Sequence, residues 1–210
     1  MHYYTSVKKI NNINKFSSMW YFRDKLSIES VENVETTFDP WLSNNENFST
    51  VDAWKCNAQS SYTGQQGPGP WSVFLNSLMP VIDNFSSSLG CTANYMQCTQ
   101  VWANKYGPGG FQEYHSHSDR THQISFCYFY KPVRSVSLFR FIDREYDMCI
   151  LSGLSEVLPN VPGIEQDVRV ENVEKGDIIL FPSYYPHIVD PNPTEEERIT
   201  FSGNIEIKNI

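Results

Sequence analysis

A chain of 210 residues has room for one domain with a sizeable core and would crowd a second. Its 40% apolar and 14% aromatic residues exclude a disordered polymer, and a formal charge of −8 with scattered Lys and Arg argues against the basic stripe of a nucleic-acid binder. No stretch approaches the length of a membrane span, and residues 1–15 are polar and Asn-rich, so no membrane partner and a cytoplasmic location are expected. The cysteines, Cys56, Cys91, Cys98, Cys127 and Cys149, are odd in number and lack a C-x-x-C pair; they read as buried free thiols in a reducing compartment.

Along the chain, residues 17–29 suggest a short helix with Met19, Trp20, Phe22 and Leu26 apolar. After the turn-rich run Gln65 to Pro70, the positions Phe74, Leu78, Val81, Ile82, Phe85 and Leu89 recur at helical spacing, with Gly90 as the stop and a kink expected at Pro80. From about residue 96 the pattern changes to short β-branched and aromatic segments, and strands are expected near 97–106, 111–116, 123–130, 135–142, 167–173, 177–181, 186–190 and 197–207. Residues 143–166 read as a loop over the mouth of the sheets. Strands without regular intervening helices predict a mainly β fold, an antiparallel jelly roll or barrel, with the N-terminal helices packed on one outer face. The expected organisation is one domain over 1–210, with 1–95 as helical or irregular support and 96–210 as the β core.

Four of the five histidines form two clusters, His115, His117 and His122 in one and His187 in the other. Residues two apart on a strand share a face, so His115 and His117 present two imidazoles to one metal, with His187 from a distant strand as the candidate third ligand. Three protein ligands on one side leave coordination positions open. An H-x-H pair alone also fits surface imidazoles met by chance. Further on, Arg198, Thr200, Ser202 and Asn204 alternate with Ile199, Phe201 and Ile205. A polar row carrying an arginine suits a ligand-facing surface, since guanidinium pairs bidentately with carboxylates, although a solvated outer face would show the same alternation.

Residues 100–117, Lys175 to Ser183, His187 and Arg198 to Asn204 together resemble the prolyl-4-hydroxylase-like branch of the iron(II)/2-oxoglutarate dioxygenases. The resemblance covers roughly the last half of the chain and is strongest to small bacterial and phage members whose first motif reads H-x-H. It implies a double-stranded β-helix and a hydroxylase that uses Fe(II), 2-oxoglutarate and O2 and releases succinate and CO2. Its substrate would be a small molecule or a protein side chain, and relatives of this kind often form homodimers. By the same resemblance, His115 and His187 stand as the two metal histidines and Arg198 as the residue that binds the distal carboxylate of 2-oxoglutarate. Tyr106, Gln112 and Asn104 stand among the co-substrate contacts, and Thr200 is placed to assist Arg198. Trp102, Tyr128 and Tyr130 are candidates for lining the pocket, with ordinary core packing as the alternative, and His122 falls outside the ligand set. The departure is at 117, where relatives usually carry a carboxylate. His117-Ser-Asp119 offers a strict H-x-D match two residues on; the 115/117 register keeps the spacing from the Gly109-Gly110 turn, and Asp119 stays as the alternative ligand.

Two other readings compete. Gly109 to His117 and Gly176 to His187, with Pro182, resemble the two motifs of a cupin, but the acidic ligand expected after His117 is missing and a cupin has no need of Arg198. A metal-free jelly-roll binding protein of the viral or lectin type is the third reading.

Overall fold

The computed structural model describes residues 19–64, 67–93, 95–117, 119–133, 138–143, 148, 151–153, 156 and 167–209. The first element is a strand, β1 (Phe22–Lys25), not the helix expected over 17–29. Its residues alternate between half-buried and exposed, as an edge strand requires. The helix follows it. Ser27 caps α1 (Ile28–Leu42), its side chain accepting from the Ser30 amide, and the buried stripe Val34, Phe38, Leu42 runs at a spacing of four.

After the two-residue β2 (Gln59–Ser60), α2 (Trp71–Leu89) buries Trp71, Phe74, Leu78, Val81, Ile82 and Phe85, the expected stripe without Leu89, which is exposed. The helix runs through Pro80 without a break, with that residue on its exposed side. It ends where expected: Gly90 takes a left-handed φ of 62°, and its N–H reaches the carbonyls of the last turn.

The remaining strands are β3 (Tyr95–Tyr106), β4 (Gln112–His115), β5 (Ile124–Lys131), β6 (Phe139–Ile142), β7 (Asp167–Arg169), β8 (Asp177–Pro182), β9 (His187–Val189) and β10 (Arg198–Lys208). Each expected strand is present, although β7 is shorter than the segment 167–173 and residues 135–137 of the strand expected over 135–142 lie outside the described residues. They form a six-stranded sheet, ordered β1-β8-β5-β10-β3-β2, and a four-stranded sheet, ordered β4-β9-β6-β7, with antiparallel pairing throughout. This is the jelly roll, or double-stranded β-helix, that the strand pattern and the resemblance implied. Most of the expected loop 143–166 lies outside the described residues.

The six-stranded sheet is covered on both faces, which explains why β5 and β8 read as unbroken apolar runs. On one face the helices contribute Phe38, Trp71 and Phe74 to a core with Tyr128 and Phe201. On the other, Phe129, Ile179 and Phe181 meet Phe139, Phe141 and Val189 of the four-stranded sheet. Tyr128 and Tyr130 belong to the helix side, so of the two readings open for them core packing holds and pocket lining does not. The Tyr128 ring packs on Phe74, and the Tyr130 hydroxyl donates to Asp39 of α1 at 2.5 Å. Gly203 in β10 has no room for a side chain: a Cβ there would lie 2.4 Å from the Phe126 ring and 2.6 Å from the Gln100 carbonyl. Among the described residues no helix is long and apolar enough to cross a membrane.

Candidate active site

β4 and β9 pair so that His115 lies directly opposite His187. His117 follows β4 by two residues, and its amide donates to the Ser183 carbonyl at 2.9 Å, which ties this segment to the end of β8 in the other sheet. The three rings converge, with centroids 4.1 Å (115–187), 5.3 Å (115–117) and 5.2 Å (117–187) apart. Each offers one ring nitrogen, and these atoms all lie within 4.8 Å of one another. The Nδ1 of His115 is 2.7 Å from the Glu113 carbonyl, and that of His187 is 2.9 Å from the Tyr185 carbonyl. A carbonyl only accepts, so both Nδ1 atoms carry the proton and both Nε2 atoms keep a free lone pair. The Nδ1 of His117 faces side chains instead, Asn204 Oδ1 at 2.8 Å and Ser125 Oγ at 3.0 Å.

Burial holds all three imidazoles neutral. It pushes His117 down to about 4, with the charge of His115 adding to the effect, and it lowers His115 and sends His187 well below its ordinary value. In the metal-free protein these histidines are therefore neutral when folded and protonated when unfolded between about pH 6.5 and 4. Protons then favour the unfolded chain. Metal-free stability should be full above pH 6.5 and fall on acidification, by roughly 2 kcal/mol from His117 alone between pH 6.5 and 5. Thermal melts of chelator-treated protein across that range check this, and a flat profile would contradict the burial of the cluster.

The histidines line a cavity, and Trp102, Tyr106, Gln112, Cys127, Thr200 and Ser202 share the lining. The polar row of β10 thus faces the interior, and the solvated-face alternative falls: Arg198, Thr200 and Asn204 are all buried. Arg198 is 2% exposed, with its guanidinium carbon 4.8 Å above the Tyr106 ring, and its Nη1 has no hydrogen-bond partner. A buried cation with an idle donor is costly unless a ligand meets it. Below it, the Tyr106 hydroxyl donates to Gln112 Oε1 at 2.9 Å and also hydrogen-bonds Thr200. The Trp102 indole N–H is likewise buried and unpartnered. The Cys127 thiol is pushed up to about 11 by burial, so it stays protonated and does not join the imidazoles as a thiolate.

Asn104 and the alternative ligand Asp119 sit elsewhere, and so does His122, which was expected outside the ligand set. Asn104 is buried one step behind the cavity, accepting from Ser60 Oγ at 2.7 Å, with its Nδ2 3.4 Å from Ser202 Oγ. Asp119 is exposed, and its Oδ1 accepts from the amide and hydroxyl of Thr121, away from the three imidazoles. His122 is half-buried and bridges back to Asp119 across the turn. Sequence reasoning placed Asn204 in the polar row without giving it a role. The cysteines are less buried than expected: Cys127 is buried, Cys56, Cys91 and Cys98 are half-buried, all four are free, and Cys149 lies outside the described residues.

Residues 100–204 match the protein-family model described as "Putative 2OG-Fe(II) oxygenase". The chain belongs to the 2OG-Fe(II) oxygenase family. An enzyme of this family uses iron(II), 2-oxoglutarate and dioxygen, and membership displaces the cupin and metal-free readings. Solved structures share the fold at low identity. A Pseudomonas putida prolyl-4-hydroxylase is 14% identical at a TM-score of 0.60, over 90% of this chain and 94% of its own. The α-ketoglutarate-dependent carbocyclase SnoK from nogalamycin biosynthesis is 14% identical at 0.61, over 90% and 80%. HygX from Streptomyces hygroscopicus, solved with nickel and 2-oxoglutarate bound, is 13% identical at 0.54, over 90% and 83%. No curated protein sequence matches this 2OG-Fe(II) oxygenase.

Proposed function

We propose that His115, His117 and His187 hold the iron(II) of this oxygenase and that Arg198 receives the distal carboxylate of 2-oxoglutarate. The observation that carries the reading is the convergence of three neutral imidazoles, one free ring nitrogen each, on a cavity shared with Tyr106 and Thr200, with the buried Arg198 guanidinium over the Tyr106 ring and its Nη1 unpartnered. That donor set suits iron(II), for which imidazole is a good ligand, and leaves positions open on one side. No acidic side chain lines the cavity among the described residues, so three neutral ligands leave it one unit more positive than a two-histidine, one-carboxylate site. A dianionic co-substrate is well matched to that charge.

Iron(II) with 2-oxoglutarate and dioxygen supplies the oxidation that hydroxylates a C–H bond and releases succinate and CO2. The chain's own residues do the holding. Arg198 and Thr200 fix the far end of the co-substrate, with Tyr106 and Gln112 forming the wall beside it, and Phe139 and Phe181 pack on His187 to keep its face dry. The substrate is read as a small molecule or a protein side chain. Free thiols at the described cysteines support a cytoplasmic setting. The burial of the α2 stripe against β3, β5 and β10 supports reading residues 1–95 as the support of one oxygenase unit.

Conversion of 2-oxoglutarate to succinate tests the reading. It should require added iron(II) and stop on chelation, and an iron-loaded protein that leaves 2-oxoglutarate untouched in air would overturn this assignment of residues to metal and co-substrate.

A further inference from the structure

His117 stands where relatives usually carry a carboxylate, and an imidazole brings a demand that a carboxylate does not. It can bind a metal only through a ring nitrogen that lacks a proton, so its tautomer must be fixed in advance. Main-chain carbonyls do this for His115 and His187. For His117 the nearer partner is the Asn204 amide, 3% exposed, with Oδ1 2.8 Å from Nδ1, and the second is Ser125 Oγ at 3.0 Å, whose hydroxyl is itself placed to donate to that same Oδ1. An amide has two unlike ends, and the wrong one would put the imidazole proton on Nε2, toward the metal.

The choice of end is settled outside the site. Asn204 Nδ2 donates to Gln100 Oε1 at 2.7 Å, and Gln100 Nε2 donates to the Gly64 carbonyl at 2.9 Å. The chain of bonds ends on a group that can only accept, so every amide in it has one allowed orientation. Ser125 Oγ, 2.8 Å from Asn204 Oδ1 and 2.9 Å from Ser183 Oγ, holds the same oxygen from the other side. The register supplies the geometry: Asn204 lies opposite Gln100 on β3 and opposite Ser125 on β5, immediately before the bulge in the β10–β3 ladder.

We propose that Asn204, oriented by Gln100, is the positioning residue that makes His117 a metal ligand: the relay from the Gly64 carbonyl holds the proton on Nδ1 and turns Nε2 toward the iron. The inference rests on the ligand set proposed above. It makes His117 the one ligand of the three whose lone pair depends on side chains.

Two measurements test it. The first uses the metal-free wild-type protein: long-range nitrogen–proton NMR spectra of the histidine rings should show His117 as the Nδ1–H tautomer, and the Gln100→Leu variant, altered at a half-buried site away from the cluster, should show a mixture. An Nε2–H ring in the wild type, or no change in the variant, overturns the relay. The second is anaerobic iron(II) titration. Asn204→Leu should weaken binding roughly 10- to 100-fold, as loss of a ligand's hydrogen-bond partner does, and Asn204→Asp, which keeps the acceptor, should restore it. A carboxylate at 117 has no tautomer, so in a His117→Asp background Asn204→Leu should cost almost nothing. An equal loss in both backgrounds would make Asn204 a packing residue. If His117→Ala leaves iron affinity unchanged, the ligand set itself is wrong; if His117→Ala loses iron while Asn204→Leu keeps it, only the relay is.

Discussion

His187→Ala should leave a folded protein that retains no iron(II) at micromolar concentrations and converts no 2-oxoglutarate. Partners that merely orient a ligand are worth roughly 10- to 100-fold in metal affinity, so loss of the ligand itself should exceed that range. His187 is the most buried of the three, 3% exposed, with the Phe139 ring stacked 5.2 Å away and Phe181 at 5.1 Å, so water cannot simply take its place. The variant also loses the hydrogen bond from His187 to the Tyr185 carbonyl, and a thermal melt will show that loss alongside the metal loss. His115→Ala should behave in the same way. Asp119→Ala should keep its iron, because that carboxylate is exposed and engaged with Thr121. Metal content by elemental analysis decides all three, and iron lost from Asp119→Ala with iron kept by His115→Ala would move the ligand set to His117, Asp119 and His187.

Arg198→Met should separate metal from co-substrate. Iron binding stays, while 2-oxoglutarate binding weakens by roughly 10- to 150-fold, the value of one charge-assisted hydrogen-bonded pair. The expected effect on stability has the opposite sign from that of most core substitutions. The guanidinium is buried with Nη1 idle, so exchanging it for an apolar chain of similar length should leave the co-substrate-free protein as stable or more so. Arg198→Lys keeps the charge without the planar fork and should fall between the two. A short 2-oxo acid without a distal carboxylate should bind wild type and Arg198→Met alike. Calorimetric titration of both ligands into the manganese-loaded proteins checks this, and unchanged 2-oxoglutarate affinity would remove Arg198 from the pocket assignment.

How far the sequence could be read followed from how local each signal is. The strands from Tyr95 onward were legible because β-branched and aromatic runs are broken by Gly, Pro, Asp and Asn. The polar row of β10 was legible because its opposite face, Ile199, Phe201 and Ile205, is apolar. α1 was missed because its buried face is only Val34, Phe38 and Leu42 in a polar segment that contains Pro40, and its start signal, Ser27, is one residue among many serines. β1 was missed because four residues at a sheet edge, three of them charged, carry almost no periodicity. The side taken by Tyr128 and Tyr130 stayed open because a strand buried on both faces has no polar side to set its phase. The His117–Asn204–Gln100–Gly64 relay was beyond reach from spacing, since its members meet only through strand register across the sheet. Cα-level pattern and side-chain chemistry are different kinds of information, and the second appears only once the strands are paired.

The most direct test of the account is an anaerobic titration of the metal-free protein with iron(II) and 2-oxoglutarate, followed by visible absorption. A weak charge-transfer band that appears only when both are present, and that His187→Ala abolishes, is the predicted result. Tight iron binding with no band at saturating 2-oxoglutarate would contradict the proposed site.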